Sequence, residues 1–112
     1  MPAIPRDLRR RRQAAVRRLG KASETVRGSL LSRYLPCGNP GCRCKRGKLH
    51  GPAYYVTVSY AGGKTRQVYV PKQLKPVVER WLANYREVYA ALEEISAINL
   101  ELIRLKALPP TA

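Results

Sequence analysis

The chain has 112 residues, with 22 Lys and Arg against 7 Asp and Glu and a formal charge of +15. That length fits one ordinary domain, 1–112, with a modest core, and a compact state so charged repels itself until an anion binds, so a polyanion is the expected partner. No run approaches the roughly 18 apolar residues of a membrane span and no apolar stretch follows the Arg-rich start, so no membrane partner and a cytoplasmic location are expected, nucleoid-associated if the polyanion is DNA.

Residues 4–34 carry few helix breakers after Pro5, and Asp7 is placed to favour the positive end of a helix dipole. Leu8, Ala15, Leu19, Ala22, Val26 and Leu30 form one apolar row, which predicts a basic N-terminal helix over 4–34. Gly20 and Gly28 each weaken that helix by about 1 kcal/mol relative to Ala, and mark where it would break. Its other face is nearly all arginine: Arg9, Arg10, Arg11, Arg12, Arg17 and Arg18. The first 33 residues are also Arg-rich and acid-poor in the manner of a transit peptide, although they read equally as part of the fold.

Residues 35–52 hold all three cysteines and the only histidine. Cys37, Cys42, Cys44 and His50 have the spacing C-x4-C-x-C-x5-H, with Gly38, Pro40 and Gly41 supplying a bend between the first two thiols. Three thiolates and an imidazole complete a tetrahedral set for one structural Zn2+, and a closed site of this kind leaves no position for catalysis. Arg43, Lys45, Arg46 and Lys48 offset the negative ligands and favour thiolate formation. The alternatives are three reduced cysteines in a loop, or a thiol catalyst. No second histidine and no nearby acid is present to orient a nucleophilic cysteine, and the spacing is not that of an iron-sulfur site. Crowded, odd-numbered cysteines also argue against a disulfide framework.

Residues 53–70 alternate with the period of a strand on both sides of Ala61-Gly62-Gly63 and predict a β-hairpin. Only an odd loop, of three or five residues, gathers Tyr54, Val56, Val58, Val68 and Val70 on one face and Tyr55, Thr57, Ser59, Thr65, Gln67 and Tyr69 on the other. A lone hairpin is marginal in water, so its apolar face must cover a helix.

Residues 72–108 predict a long amphipathic C-terminal helix ended by Pro109-Pro110. Leu74, Trp81, Val88, Ile95 and Leu102 repeat every seven residues, and Val78, Tyr85, Leu92 and Asn99 fill the offset of four. That is a coiled-coil seam with one Asn, a device that fixes register. The expected architecture is therefore α+β and mostly helical: two long helices packed as an antiparallel stalk, with a zinc-knuckle and β-hairpin head. A homo-oligomer or a protein partner would satisfy the same helical stripe.

The run RGSLLSRYLPCGNPGCRCKRGKLHGPAYYVTVSYAGGKTRQVYVPKQL, followed by ANYREV and INLELIRL, resembles a family of small bacterial and archaeal proteins described only as a domain of unknown function. The family's pattern is a Cys-Gly-x-Pro-x-Cys-x-Cys knuckle, a His-Gly-Pro-Tyr-Tyr-Tyr strand, a Gly-Gly-Lys-Thr-Arg turn and a Tyr-Val-Pro exit into a helix. Asn39 and Ala53 stand where Lys and Tyr would be expected. The resemblance covers roughly Arg27 to Leu105 and implies the knuckle and the hairpin, with no activity attached.

Function then rests on the residues. Through His50 there are 14 Lys and Arg against 2 acids, and from Gly51 onward 8 against 5. A non-enzymatic nucleic-acid-binding protein is expected, with duplex DNA held by phosphate contacts from the Arg-rich helix, the basic knuckle and the hairpin tip residues Lys64 and Arg66. A two-stranded ribbon also fits the major groove. The alternatives are a structural or assembly module working through the stalk, and an RNA-binding protein that stacks bases on Tyr54, Tyr55, Tyr60 or Tyr69. One histidine, and acids mostly on one helix, assemble no catalytic set.

Overall fold

A computed structural model describes residues 3–35 and 50–108. Pro5, with φ −55°, leads into helix α1, Arg6–Arg18, which has Asp7 in its first turn and Arg17 and Arg18 in its last, both favourable to the dipole. The chain then tightens into a 3-10 turn, Leu19–Glu24, and becomes extended at Thr25. The helix expected over 4–34 therefore stops near Gly20, and its end from Ser29 onward is a strand, β1, Ser29–Leu35. The switch has a local cause at Gly28, whose φ is +139° and where a Cβ would lie 2.6 Å from the Thr57 carbonyl oxygen. Only a residue without a side chain brings the backbone that close to its neighbour, and from there strand pairing overrides the helical spacing of Val26 and Leu30.

Strands β2, His50–Ser59, and β3, Thr65–Val70, form the expected hairpin. They join β1 in a three-stranded antiparallel sheet of order β1-β2-β3. Ser59 pairs with Thr65, so five residues make the connection, closed by Tyr60 N–H donating to the Lys64 carbonyl at 2.7 Å. Gly62 and Gly63, at φ +81° and +75°, supply the left-handed turn. The odd loop sorts the faces as the sequence predicts: Tyr54 pairs with Val70 and Val56 with Val68 on one side, Tyr55 with Tyr69 and Thr57 with Gln67 on the other. On the far flank Leu30 pairs with Val56 and Leu31 with Tyr55. The register slips between Arg33 and Leu35, where Pro52 has no N–H to offer the ladder.

Two compact units are present, Met1–Thr25 with Ala83–Ala112, and Val26–Leu82. In the second, the even-numbered face buries Val56 and Val70 to 5% and 4% exposure. That face, the 3-10 turn Lys72–Leu74 and the first turns of helix α2, Lys75–Arg104, enclose an apolar groove of about 350 Å³ lined by Val26, Val68, Leu74, Val78 and Trp81. Val26 N–H donates to the Trp81 carbonyl at 3.1 Å, tying the start of this unit to the helix.

In the first unit, Ile98, Leu102 and Ala107 form a core against which Ile4, Leu8, Leu105 and Leu108 pack. Arg12 Nη1 donates to Asn99 Oδ1 at 2.9 Å, Arg18 bonds to Glu94, and Lys21 Nζ donates to Glu87 at 2.8 Å, so α1 runs antiparallel to the distal half of α2. The antiparallel pair exists, with a first helix of 13 residues rather than a long one. The α2 seam also differs from the expected one. Asn84, Ala91 and Ile98 are buried beside Leu102, whereas Leu92, assigned to the core by the offset-of-four row, is 52% exposed. Asn84 Nδ2 satisfies the Glu24 carbonyl at 3.0 Å. The α-helix ends at Arg104, before the predicted limit of 108. Lys106 adopts φ +56°, and its N–H and that of Ala107 return to the carbonyls of Ile103 and Leu102, the hydrogen-bond pattern of a Schellman cap.

Candidate nucleic-acid interface

The arginines of α1 divide by what they touch. Arg12 is half-buried on Asn99 and Arg18 is drawn to Glu94. Arg6, Arg10, Gln13 and Arg17 recur at i, i+4, i+7 and i+11, all exposed, with Arg9 beside them. They make one outward row whose ends are about 16 Å apart along the axis at 1.5 Å per residue. Arg11, also exposed, lies nearer the packed face. None of Arg6, Arg9, Arg10, Arg11 and Arg17 takes part in an ion pair among the described residues.

In the second unit Lys64 and Arg66 are exposed at the hairpin end. The odd-numbered face of the sheet carries Tyr55 and Tyr69, with ring centroids 5.7 Å apart in an edge contact. The Arg33 guanidinium stands 5.5 Å from the Tyr55 centroid. Arg27 sits 5.1 Å from the Tyr60 ring and donates to the Ser59 carbonyl at 2.9 Å. Lys75 lies 5.1 Å from the Tyr54 ring on the other face, and its pKa is raised by its hydrogen bond to Glu79 and by that carboxylate's charge. Thr57 Oγ1 is buried with no hydrogen-bond partner among the described residues.

A sequence signal for this unit lay unread in the charge count. Glu24 is followed by no Asp or Glu until Glu79, while Arg27, Arg33, Arg43, Lys45, Arg46, Lys48, Lys64, Arg66, Lys72 and Lys75 fall between them. The acids are instead concentrated on α2, where Lys21 holds the Glu87 carboxyl below its ordinary pKa and Arg104 does the same to Glu101.

Cys37, Cys42 and Cys44, with Arg43, Lys45, Arg46 and Lys48, lie outside the described residues. The backbone of His50 is described, as the partner of Leu35 across β1 and β2. Strand pairing thus fixes the positions between which the cysteine-bearing segment is strung. Among the described residues no helix is long and apolar enough to cross a membrane.

The chain belongs to a family described as Domain of unknown function (DUF6788), whose model matches residues 5–80. The match takes in α1 and the sheet, so the Arg-rich helix is part of the family's domain, contrary to the resemblance drawn from the sequence alone. No curated protein and no solved structure matches the chain.

Proposed function

We propose that this chain is a non-enzymatic nucleic-acid-binding protein that grips duplex DNA through its phosphates, and that one structural Zn2+ held by Cys37, Cys42, Cys44 and His50 organises its basic loop. The observation that carries the reading is the division of labour on α1. Two arginines, Arg12 and Arg18, are consumed by Asn99 and Glu94, while Arg6, Arg10 and Arg17 form an exposed row with no acid on them among the described residues. A row kept clear of carboxylates in a chain of net charge +15 suits phosphates, each contact releasing condensed counterions. Three thiols and one imidazole fit zinc by donor chemistry, and bound metal would fix the loop without supplying a reaction. A cytoplasmic, nucleoid-associated location follows from the same reading.

The test measures binding to labelled duplex across a salt series, with zinc quantified in the same sample. The expected slope of log K on log salt is about −5 or steeper for six or more contacts, and Arg10→Ala with Arg17→Ala should flatten it by about 2. A shallow slope unchanged by those substitutions would refute duplex binding. Preference for RNA of equal length would redirect the proposal to RNA. Zinc at one per chain, lowered by Cys37→Ser, is the expected metal result, and unchanged zinc would remove the knuckle.

A second reading, an assembly module, has its own support in α2. Tyr89, Leu92, Leu100 and Ile103 are 55%, 52%, 64% and 59% exposed. Tyr89, Leu92 and Ile103, with Leu100 at their flank, line one side of the helix, a stripe that a second copy of the chain would cover. A monomer at all concentrations by sedimentation would rule that out.

A further inference from the structure

The third strand changes what the hairpin can hold. The major groove admits a two-stranded ribbon, but β1 flanks β2 as far as Ser29 and Thr57, leaving only the final pairs of β2 and β3 as a free ribbon. What remains is a broad face with two rows across it. One row is Leu31, Tyr55 and Tyr69; the next is Ser29, Thr57 and Gln67, about 7 Å along the strands.

We propose that this odd-numbered sheet face binds unpaired bases of single-stranded nucleic acid, with Tyr69 as stacking platform, Tyr55 as its support and Arg33 as the neighbouring cation. The inference rests on the nucleic-acid reading above but places its ligand on a different surface. Tyr69 is 59% exposed and fixed by its edge contact with Tyr55, so its ring is presented to a base at little further cost in side-chain freedom. Arg33 lies over the Tyr55 ring on the same face, where a phosphate flanking a stacked base meets it. Of the polar row, the exposed Ser29 and Gln67 offer donors and acceptors to a base edge one step away, while the Thr57 hydroxyl is buried beneath them. Charge selects the occupant: no position on this face carries an acid, and none occurs between Glu24 and Glu79. Stacking of this kind tolerates every base, so the specificity is for unpaired strands rather than for a sequence.

The experiment uses the full chain and fluorescence anisotropy with labelled oligo(dT), oligo(U) and an abasic strand, each of about twelve nucleotides, beside a duplex. The base-bearing strands should bind more tightly than the abasic one. Tyr69→Ala should weaken them by between about 5-fold and about 150-fold, the span of one lost base stack, and that factor should persist at high salt. Duplex affinity should be unchanged by Tyr69→Ala, and Tyr69→Phe should retain single-strand binding. Equal binding of abasic and base-bearing strands, or no effect of Tyr69→Ala while duplex binding is intact, overturns this inference alone. Equal loss of duplex binding in Tyr69→Ala also overturns it, because the two surfaces would be one. Absence of binding to every strand overturns the nucleic-acid reading with it. A preference between oligo(dT) and oligo(U) identifies the source of the strand as DNA or RNA.

Discussion

Gly28 and Gly20 are eight residues apart and predict opposite outcomes for the same substitution. At Gly28 a methyl group would meet the Thr57 carbonyl oxygen at 2.6 Å, with Val56 Cγ1 and Val58 Cγ2 each at 3.1 Å, and φ is +139°. The carbonyl belongs to the central strand, paired on both flanks at Thr57, so it cannot retreat without carrying the sheet along. Backbone strain of about 1–3 kcal/mol and overpacking of similar size together predict a loss of about 4 kcal/mol for Gly28→Ala. That is a large share of the roughly 5–15 kcal/mol that holds a domain folded. At Gly20 nothing lies within 4 Å and φ is not positive, so Gly20→Ala should stabilise by about 0.4–1 kcal/mol through the unfolded chain. Urea unfolding followed by fluorescence of Trp81, the only tryptophan and a residue of the unit containing Gly28, reads the first variant; helical circular dichroism reads the second. If Gly28→Ala unfolds within about 1 kcal/mol of the parent, a smaller penalty than strain alone would set, the account of how β1 begins is wrong.

Lys106 occupies the left-handed cap of α2 at φ +56°, where glycine is at ease, so Lys106→Gly should stabilise the chain by about 1 kcal/mol in thermal or urea melts. Glu87 is held below its ordinary pKa by the hydrogen bond from Lys21 and by that ammonium's charge. A carboxyl lowered on folding stabilises the fold above its ordinary unfolded pKa and ceases to do so as pH falls through its folded value. The melting difference between the parent and Lys21→Ala should therefore shrink to nothing below the carboxylate range, and shrink with added salt at neutral pH, because both side chains are more than half exposed. A difference that is the same at every pH would show that Lys21 acts through packing instead.

The hairpin faces were legible because period-two alternation leaves one loop parity that gathers the valines, and tertiary structure obeyed it. The strand before them was hidden. Leu8 to Leu30 keeps helical spacing through Gly20, and the pairing that makes Ser29–Leu35 a strand is with residues 15 to 28 positions away. Gly28 was the one local sign, readable as a weak point in a helix and as a close approach in a sheet. The α2 seam was misplaced by one position for a related reason. Counting large apolar residues favours Leu92, but the packed face uses Ala91, which, like Ala15 of α1, has 0% exposure. Small residues admit a neighbouring helix closely, and a hydrophobicity pattern gives them little weight. Asn99 was readable as a register device, and the partner it found is Arg12 of the same chain. The sequence put every arginine of α1 in one class, whereas contacts divide them into those that fold the protein and those that face outward.

The position of β2 between its two neighbours has a consequence for how this chain tolerates changes of length. One residue added between Tyr54 and Ser59 would exchange inside for outside against β1 and β3 at once, because alternate residues point to opposite faces. The connection Ala61–Gly63 stands outside that constraint, exposed and with open space at both Gly62 and Gly63. It is the place to graft a tag or fluorophore when the sheet is to be followed, and the place where natural variants of different length should first diverge.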